Sequence, residues 1–245
     1  MNILSQLKKT AKRAGFSVDT RPSHLRHRPD RELKLDLDLV ATHLASIQKD
    51  VFVLQIGAND GVSRDPLAQS IGKFNWSALM LEPQPGPFKK LQEIYSNSPQ
   101  IKTINVALSD HDGSQTLYCL DSSLKEPDWA SGLASFDVNH LLKHEAQIPD
   151  VKKYIREIEV PCRTFDTLLN ENKVERVDVL QIDTEGFDAE VLRLFDVPRR
   201  LPVLINFEHR HLSKDDWNKS VKMLLDCGYL VATKSQDTIA YRGTK

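Results

Sequence analysis

The stretch VFVLQIGANDG, residues 51–61, joins a short apolar run to a turn that contains two glycines. The run is apolar at nearly every position, which is typical of a strand covered on both faces of a parallel sheet. Because ligands bind beyond the carboxyl ends of such strands, the turn is predicted to line a ligand site. Gly57 is expected to allow close backbone approach, and Gly61 a sharp entry into the next helix.

Similar apolar runs recur after residue 40 and alternate with amphipathic stretches. The predicted strands are 51–56, 76–82, 101–108, 177–183 and 201–209, and the amphipathic stretches are 86–96, 164–172, 187–196 and 213–227. This alternation predicts an α/β domain with a doubly wound, mostly parallel sheet. The segments 229–234 and 238–242 are joined by three polar residues and are predicted to form an antiparallel hairpin at the sheet edge.

The composition is close to the globular average and predicts one sizeable core. The chain has 245 residues, of which 40% are apolar and 27% charged, which excludes a collagenous or largely disordered protein. No apolar run approaches the roughly 18 residues of a membrane span, and no apolar block follows the first lysines. The three widely spaced cysteines are expected to be reduced thiols in a cytoplasmic protein.

A basic arm is predicted over residues 1–40, ahead of the main domain at 41–245. Residues 1–31 carry eight basic and two acidic side chains, so the rest of the chain carries −7 within a total of −1. One interpretation is a short amphipathic helix in weak peripheral contact with an anionic membrane or with a partner. The other, which we favour because one weakly apolar helix binds lipid poorly, is an arm against the acidic body of its own or a neighbouring subunit of a homo-oligomer. Nucleic acid is not an expected partner, because the arm lacks interleaved aromatics and the body is acidic.

The stretch 121–150 is long for a connection and is predicted to form a lid on the acceptor side, although a locally ordered edge is the alternative. Trp129 and Phe136 could stack on a sugar or anchor the core of this stretch. The histidines without an evident partner, such as His43 and His111, are predicted to lie at the surface.

Polar side chains at three predicted strand ends indicate an adenosyl pocket. Glu82 follows the second strand, where α/β folds bind the two hydroxyls of a ribose, although an ordinary strand-end acid is the alternative. Ser109 and Asp110 follow the third strand and could hold an adenine edge. Together with the glycine turn and its Asn59, they predict a pocket across three adjacent strands.

The chain resembles the FkbM family of S-adenosylmethionine-dependent methyltransferases over about residues 50–210. The segments that carry the resemblance are 57–61, 82–83, 107–110 with Gly113, 160–169, 179–186 and 190–192. The resemblance implies a Rossmann-like class I methyltransferase fold. It also implies transfer of the methyl group of S-adenosylmethionine, usually to a hydroxyl oxygen, with a sugar, glycan or other small molecule as acceptor.

Two residues depart from the family pattern. Gln55 stands where members commonly carry an acid, and Gln181 where they commonly carry a lysine. Gln55 is expected to hydrogen-bond the amino-acid end of the cofactor, although a neutral group holds an ammonium less strongly. Because of this substitution, an alternative hypothesis stays open, in which the chain is a catalytically retired cofactor-binding module that acts as the partner of another enzyme. A nicotinamide dehydrogenase is disfavoured, because the usual three-glycine spacing is missing.

Asp183 and Glu185 are the predicted catalytic carboxylates, which would orient or deprotonate the acceptor. They lie at the end of the fourth strand, beside the expected position of the methyl group. The alternative is that Asp183 or Thr184 caps the next helix and Glu185 favours its N-terminal dipole.

Glu208 and His209 follow the fifth predicted strand and have three candidate roles. If the fourth and fifth strands are neighbours, Asp183 and Glu208 could bind one Mg²⁺ that holds a deprotonated hydroxyl. Alternatively, Glu208 and His209 form a metal-free acid–base pair, or the group is structural. A transition-metal site built from His209 and His211 is not expected.

Overall fold

Residues 36–121, 123–124 and 127–243 are described by the computed structural model of the chain. Residues 1–35 of the predicted basic arm lie outside this part. Helix α1 (Leu37–Ile47) begins after Asp36, whose side chain accepts a hydrogen bond from the backbone N–H of Asp38. The domain boundary predicted at residue 40 falls inside this helix.

Eleven strands and eight α-helices follow one another in the described part of the chain. The strands are β1 (Phe52–Ile56), β2 (Ser77–Leu81), β3 (Ile101–Ile104), β4 (Ala107–Leu108), β5 (Gly113–Leu120), β6 (Ala134–Ser135), β7 (Ile155–Arg163), β8 (Val179–Ile182), β9 (Leu204–Glu208), β10 (Leu230–Lys234) and β11 (Asp237–Tyr241). The helices after α1 are α2 (Ala68–Phe74), α3 (Pro85–Ile94), α4 (Val138–Leu142), α5 (Phe165–Glu171), α6 (Asp188–Phe195), α7 (Val197–Arg200) and α8 (Lys214–Asp226). Single 3₁₀ turns cover Asp128–Gly132, Lys143–Ala146 and Val151–Lys153.

Seven strands form the main sheet, in the order β10-β11-β9-β8-β1-β2-β3. Strand β11 runs antiparallel to both neighbours, and all other pairs are parallel. The doubly wound sheet and the C-terminal hairpin predicted from the sequence are therefore confirmed. From β1 the chain winds outward to β2 and β3, and later returns to β8 on the other side of β1. The strand order thus reverses at β1, where open sheets bind their ligands.

Apolar side chains cover both faces of the main sheet. On one face, Leu54 and Ile56 pack with the inner sides of α5, α6 and α8. On the other face, Val53 packs with α1, α2 and α3. This three-layer arrangement explains why the central strands are apolar at nearly every position. None of the described helices is long and apolar enough to span a membrane.

The prediction of one strand over residues 101–108 is wrong. Strand β3 ends at Ile104, and β4 belongs to a second sheet with the order β4-β7-β5-β6. The turn between them is held by Asn105, whose side-chain amide donates to the backbone oxygens of Glu82 and Pro83, at 2.8 and 2.9 Å. These bonds redirect the chain away from the main sheet, so the residues after Leu108 follow the second sheet.

The described part of 121–150 has a small apolar core of its own. Leu133 and Leu141 are buried there, and Trp129 packs against the cluster. The amide of Gln84 donates to the backbone oxygen of Gly132 at 3.0 Å and so fastens this stretch above the carboxyl end of β2. The stretch is folded and lies over the strand ends, while its role as a lid stays a prediction.

Candidate functional site

The glycine turn after β1 is built on close backbone approach to β8. Gly57 has φ +77°, and a Cβ atom at this position would overlap the carbonyl oxygen of Asp183. The backbone N–H groups of Gly57 and Ala58 donate to the carbonyl oxygen of Leu81. Gly61 also has a positive φ, but it does not lead directly into a helix as expected, because α2 begins only at Ala68.

Replacing Gly57 by alanine is expected to lower the free energy of unfolding by about 3 kcal/mol or more. The change combines left-handed backbone strain with overlap on a rigid carbonyl group. Urea denaturation measures the effect. Gly86→Ala is the matched control, since a Cβ there meets nothing within 4 Å, and it should change stability by less than about 1 kcal/mol. Equal stability of the two variants would contradict the close approach.

Glu82 and Asn59 meet at the carboxyl ends of β1 and β2, as the sequence predicts. The Glu82 side chain is buried and accepts hydrogen bonds from the backbone N–H groups of Asn59 and Gln84, each at 2.8 Å. Burial raises the pKa of Glu82 to about 7, although both hydrogen bonds oppose this. Each carboxylate oxygen retains a second acceptor position, because only one N–H donates to it.

A first cavity lies beyond the ends of β1, β2 and β4. Its residues include Gly57, Glu82, Ala107, Leu108, Phe136, Asp183, Glu185 and Phe187. Phe136 packs edge-on against Phe187, with ring centroids 5.9 Å apart, so the Phe136 ring forms part of the wall of this cavity.

Ser109 and Asp110 are not brought into the first cavity. Ser109 is buried, and its hydroxyl lies 3.2 Å from Nδ1 of His111. The Asp110 side chain is 71% exposed and pairs with the same ring. The apolar pair that precedes them, Ala107 and Leu108, lines the cavity instead. This difference follows from the break between β3 and β4.

Gln55 is engaged by a carboxylate that the sequence analysis missed. Its side-chain amide donates to Oδ2 of Asp65 at 2.8 Å, while Oδ1 of Asp65 accepts from the backbone N–H groups of Leu67 and Ala68. Burial raises the pKa of Asp65. An acid placed three residues before the first residue of a helix was the available signal. The described residues that line the first cavity do not include Gln55, so its expected role toward a cofactor stays a prediction.

A second cavity lies beyond β8 and β9. Its residues include Arg64, Trp129, His144, Gln147, Gln181, Asp183, Glu185, Glu208, His211 and Asp237. Asp183 and Glu185 line both cavities and therefore form the wall between them. Burial, and then the neighbouring carboxylates of Asp188 and Glu185, raise the pKa of Asp183 well above its ordinary value. Glu185 has φ +52°, a strained conformation for a residue with a side chain.

Asp188, a second missed residue, holds the loop that carries these carboxylates. Its side chain is fully buried and accepts hydrogen bonds from the Thr184 hydroxyl at 2.9 Å and from the Glu208 N–H at 3.1 Å. Burial raises the pKa of Asp188 to about 6. The alternative in which Asp183 or Thr184 caps α6 is wrong, because Phe187 occupies the N-cap position without a side-chain bond. The loop is instead organised around Asp188.

Glu208 lies near Asp183, because β8 and β9 are parallel neighbours. Burial, and then the charges of Asp183 and Glu185, raise the pKa of Glu208 to about 9. His209 points elsewhere: its Nδ1 lies 3.0 Å from the hydroxyl of Thr238, and its ring packs on Trp217. The structure therefore does not assemble the predicted acid–base pair of Glu208 and His209.

His211 takes the place expected of His209 and meets two histidines from the stretch over the strand ends. The His211 ring centroid lies 4.8 Å from that of His140 and 5.9 Å from that of His144. Nε2 of His211 is 3.3 Å from Oε2 of Glu185 and 3.8 Å from Oε2 of Glu208. Burial lowers the pKa of His211. The available signal was the spacing of four residues between His140 and His144, which places both on one side of a helix.

Two further predictions concern the positions of His43 and His111 and the expected Mg²⁺ site. His43 is buried beside Tyr241, so its predicted surface position is wrong, whereas His111 is exposed. Among the described residues, the groups close enough to share one metal ion are His140 with His144 and His211, and Glu185 with Glu208 and His211. Asp183 is in neither group. The expected Mg²⁺ site of Asp183 and Glu208 is therefore not supported.

Comparisons with known proteins agree with this architecture. The family model described as the methyltransferase FkbM domain matches residues 55–231, whereas no curated protein matches the chain. The methyltransferase FkbM from Methylobacillus flagellatus KT is similar in structure, with a TM-score of 0.50 and 13% identity over 79% of this chain and 44% of that one. The precorrin-6y C5,15-methyltransferase from Geobacter metallireducens GS-15 gives 0.43 and 13% over 86% and 90% of the two chains. The present chain thus spans less than half of the M. flagellatus protein. The expected Rossmann-like class I methyltransferase fold is confirmed.

Proposed function

The chain belongs to the FkbM family of methyltransferases, and from this premise we propose that it methylates a hydroxyl oxygen of a sugar, glycan or other small acceptor. The observation that carries the proposal is the wall of Asp183 and Glu185 between two cavities. One cavity has the character of a nucleoside site, and the other is lined mainly by polar and charged side chains. A carboxylate on the shared wall can reach a hydroxyl group in the second cavity and the reacting methyl group at the end of the first.

The first cavity fits the adenosyl part of S-adenosylmethionine. Glu82 offers a buried carboxylate with unused acceptor positions for the two ribose hydroxyls. Ala107, Leu108 and Phe187 offer apolar walls for a flat base. When bound, the cofactor supplies an electrophilic methyl group on a sulfonium, and the protein aligns the acceptor and removes its proton.

The second cavity is proposed as the acceptor site. We propose Asp183 as the general base, because a raised pKa brings a carboxylate closer to the proton affinity that this role requires. Glu185 would orient the acceptor hydroxyl from the same wall. Trp129 lines this cavity and offers a face for a sugar ring, whereas Phe136 lines the first cavity.

A calorimetric titration with S-adenosylhomocysteine tests the cofactor part of the proposal. We expect saturable binding of micromolar strength, about −8 kcal/mol. Incubation with ¹³C-methyl-labelled cofactor and a panel of sugars and glycans then tests the acceptor, since the carbon shift distinguishes O-, N- and C-methyl products. Absence of binding, or label found only on nitrogen or carbon, would overturn the proposal.

The affinity for S-adenosylhomocysteine is expected to fall as the pH drops below about 7. Burial raises the pKa of Glu82 to about 7, so the free protein gains a proton there at lower pH, and a neutral carboxyl group is a weaker acceptor. Linkage limits the loss to about tenfold per pH unit. Calorimetry between pH 5.5 and 8 measures it. Glu82→Gln should show a flat profile, and a slope equal to that of the wild type would contradict the assignment.

The alternative of a retired cofactor-binding module is not favoured. The residue that kept this alternative open, Gln55, is hydrogen-bonded to Asp65, and the carboxylates of Asp183, Glu185 and Glu208 lie together at one cavity.

We propose that the acceptor is a small molecule rather than a nucleic acid, because residues 32–245 carry a net charge of −7, within a total of −1 for the chain. The three free thiols support a cytoplasmic location. Contact of the basic arm with a membrane surface or a second subunit stays a prediction.

A further inference from the structure

We propose that His140, His144 and His211, together with Glu185, form a binding site for a divalent transition metal such as Zn²⁺. The four side chains come from α4, the turn after it, the loop after β9 and the loop after β8. They meet where the stretch over the strand ends packs onto the main sheet. This site differs from the predicted magnesium pair in both its residues and its chemistry.

The ligand atoms are already gathered. One ligand atom from each histidine lies within 4.8 Å of the other two, and the same holds for Glu185, Glu208 and His211. Ligands about 2.1 Å from a tetrahedral Zn²⁺ are roughly 3.4 Å apart. Inward side-chain movements of about 1 Å therefore bring the three histidine nitrogens to this spacing. Nε2 of His140 and His211 lie 3.9 and 3.3 Å from the same Oε2 of Glu185, which places that oxygen between the two rings.

Two buried polar atoms at this place have no hydrogen-bond partner among the described residues. They are Nε2 of His140, whose side chain is 8% exposed, and Oε2 of Glu208, whose side chain is 12% exposed. Such unpaired atoms destabilise a folded protein by about 1–3 kcal/mol each. A bound cation would pair with the imidazole nitrogen directly and compensate the charge of the nearby carboxylates.

The packing around the histidines orients them for coordination. Nδ1 of His144 lies 2.8 Å from the side-chain oxygen of Gln147. Because that oxygen only accepts, Nδ1 carries the proton, and Nε2 keeps the lone pair that a metal needs. Gly186, with φ +99°, lies against both residues, since a Cβ there would meet the His140 ring and Cβ of His211 at 3.4 Å.

The donor set selects the class of metal. Three imidazoles and one carboxylate suit Zn²⁺ and its neighbours in the first transition row, whereas Mg²⁺ prefers oxygen ligands. His144, His211 and Glu185 also line the second cavity, so the ion would face the acceptor. There the acceptor oxygen would bind as a fifth ligand, which would lower the pKa of its hydroxyl, a role that rests on the proposed function. The binding of the metal ion itself does not rest on the proposed function.

Cobalt titration of the full chain, without a histidine tag and stripped with a chelator, tests the site. We expect one Co²⁺ per chain with the strong visible absorption of a four- or five-coordinate ion. Equimolar Zn²⁺ should displace it, and millimolar Mg²⁺ should not. His211→Ala and His144→Ala should each weaken binding about 100-fold, and Gln147→Leu about tenfold through the orientation of His144.

His111→Ala is the matched control, because this histidine is exposed and distant in sequence, and it should bind Co²⁺ like the wild type. Circular dichroism verifies that each variant is folded. If the histidine variants do not fold, Gln147→Leu tests the site in their place. Weak, octahedral Co²⁺ binding by the wild type, or full affinity in the folded His144 and His211 variants, would overturn the site. S-adenosylhomocysteine binding, measured on the same wild-type sample, separates the two proposals. A wild-type protein that binds Co²⁺ but not S-adenosylhomocysteine would overturn only the proposed function.

Discussion

Alanine at position 82 is expected to weaken the binding of S-adenosylhomocysteine by about 100- to 1000-fold. A hydrogen bond to a charged group contributes about 1.5–3 kcal/mol, and under the proposed role the buried Glu82 carboxylate would accept one from each ribose hydroxyl. The variant also deprives the N–H groups of Asn59 and Gln84 of their acceptors, which loosens the turn that frames the cavity. Isothermal titration calorimetry measures the affinity of both proteins.

Glu93→Ala is the control for this experiment, since Glu93 lies exposed on α3 and should bind the ligand as the wild type does. Thermal unfolding without ligand shows whether the Glu82 variant keeps its fold. A folded Glu82→Ala protein with an affinity within about threefold of the wild type would refute the ribose role and leave Glu82 as an ordinary strand-end acid.

Asparagine in place of Asp183 is expected to lower the rate of methyl transfer by about 100- to 10,000-fold, the range of general acid–base catalysis. The amide keeps the shape of the side chain but cannot accept the acceptor proton. Because Asp183 lies on the wall rather than on the ribose side, S-adenosylhomocysteine affinity should stay within about threefold of the wild type. Labelled methyl transfer to an acceptor found in the sugar panel gives the rate.

The pH profile separates the chemical role from a structural one. Burial and neighbouring carboxylates raise the pKa of Asp183, so the wild-type rate should increase with pH as this group loses its proton. The residual rate of Asp183→Asn should lack that increase. Asp215→Asn, at an exposed position on α8, is the control and should match the wild type. A rate kept within tenfold in Asp183→Asn, or a rate lost together with cofactor binding, would contradict the assignment.

Features that depend on short stretches of the chain could be predicted from the sequence. The doubly wound sheet followed from apolar runs of strand length, and the hairpin from the two segments after residue 228. The places of Gly57 and Glu82 followed as well, because the carboxyl ends of neighbouring parallel strands meet at one edge. In each case the pattern of a few residues determines the local geometry.

The partners of individual side chains depended on the tertiary structure. The bond from Asn105 to the end of β2 diverts Ser109 from the pocket, and the bond to Asp65 engages Gln55. Beyond β9 the chain turns, so His211 rather than His209 faces Glu208. The sequence by itself therefore determined the sheet and the edge at which the site lies, because periodicity and strand order are local. Only the folded chain decided which acids and histidines share that edge, because their contacts join segments distant in sequence through loops whose paths follow no repeating pattern.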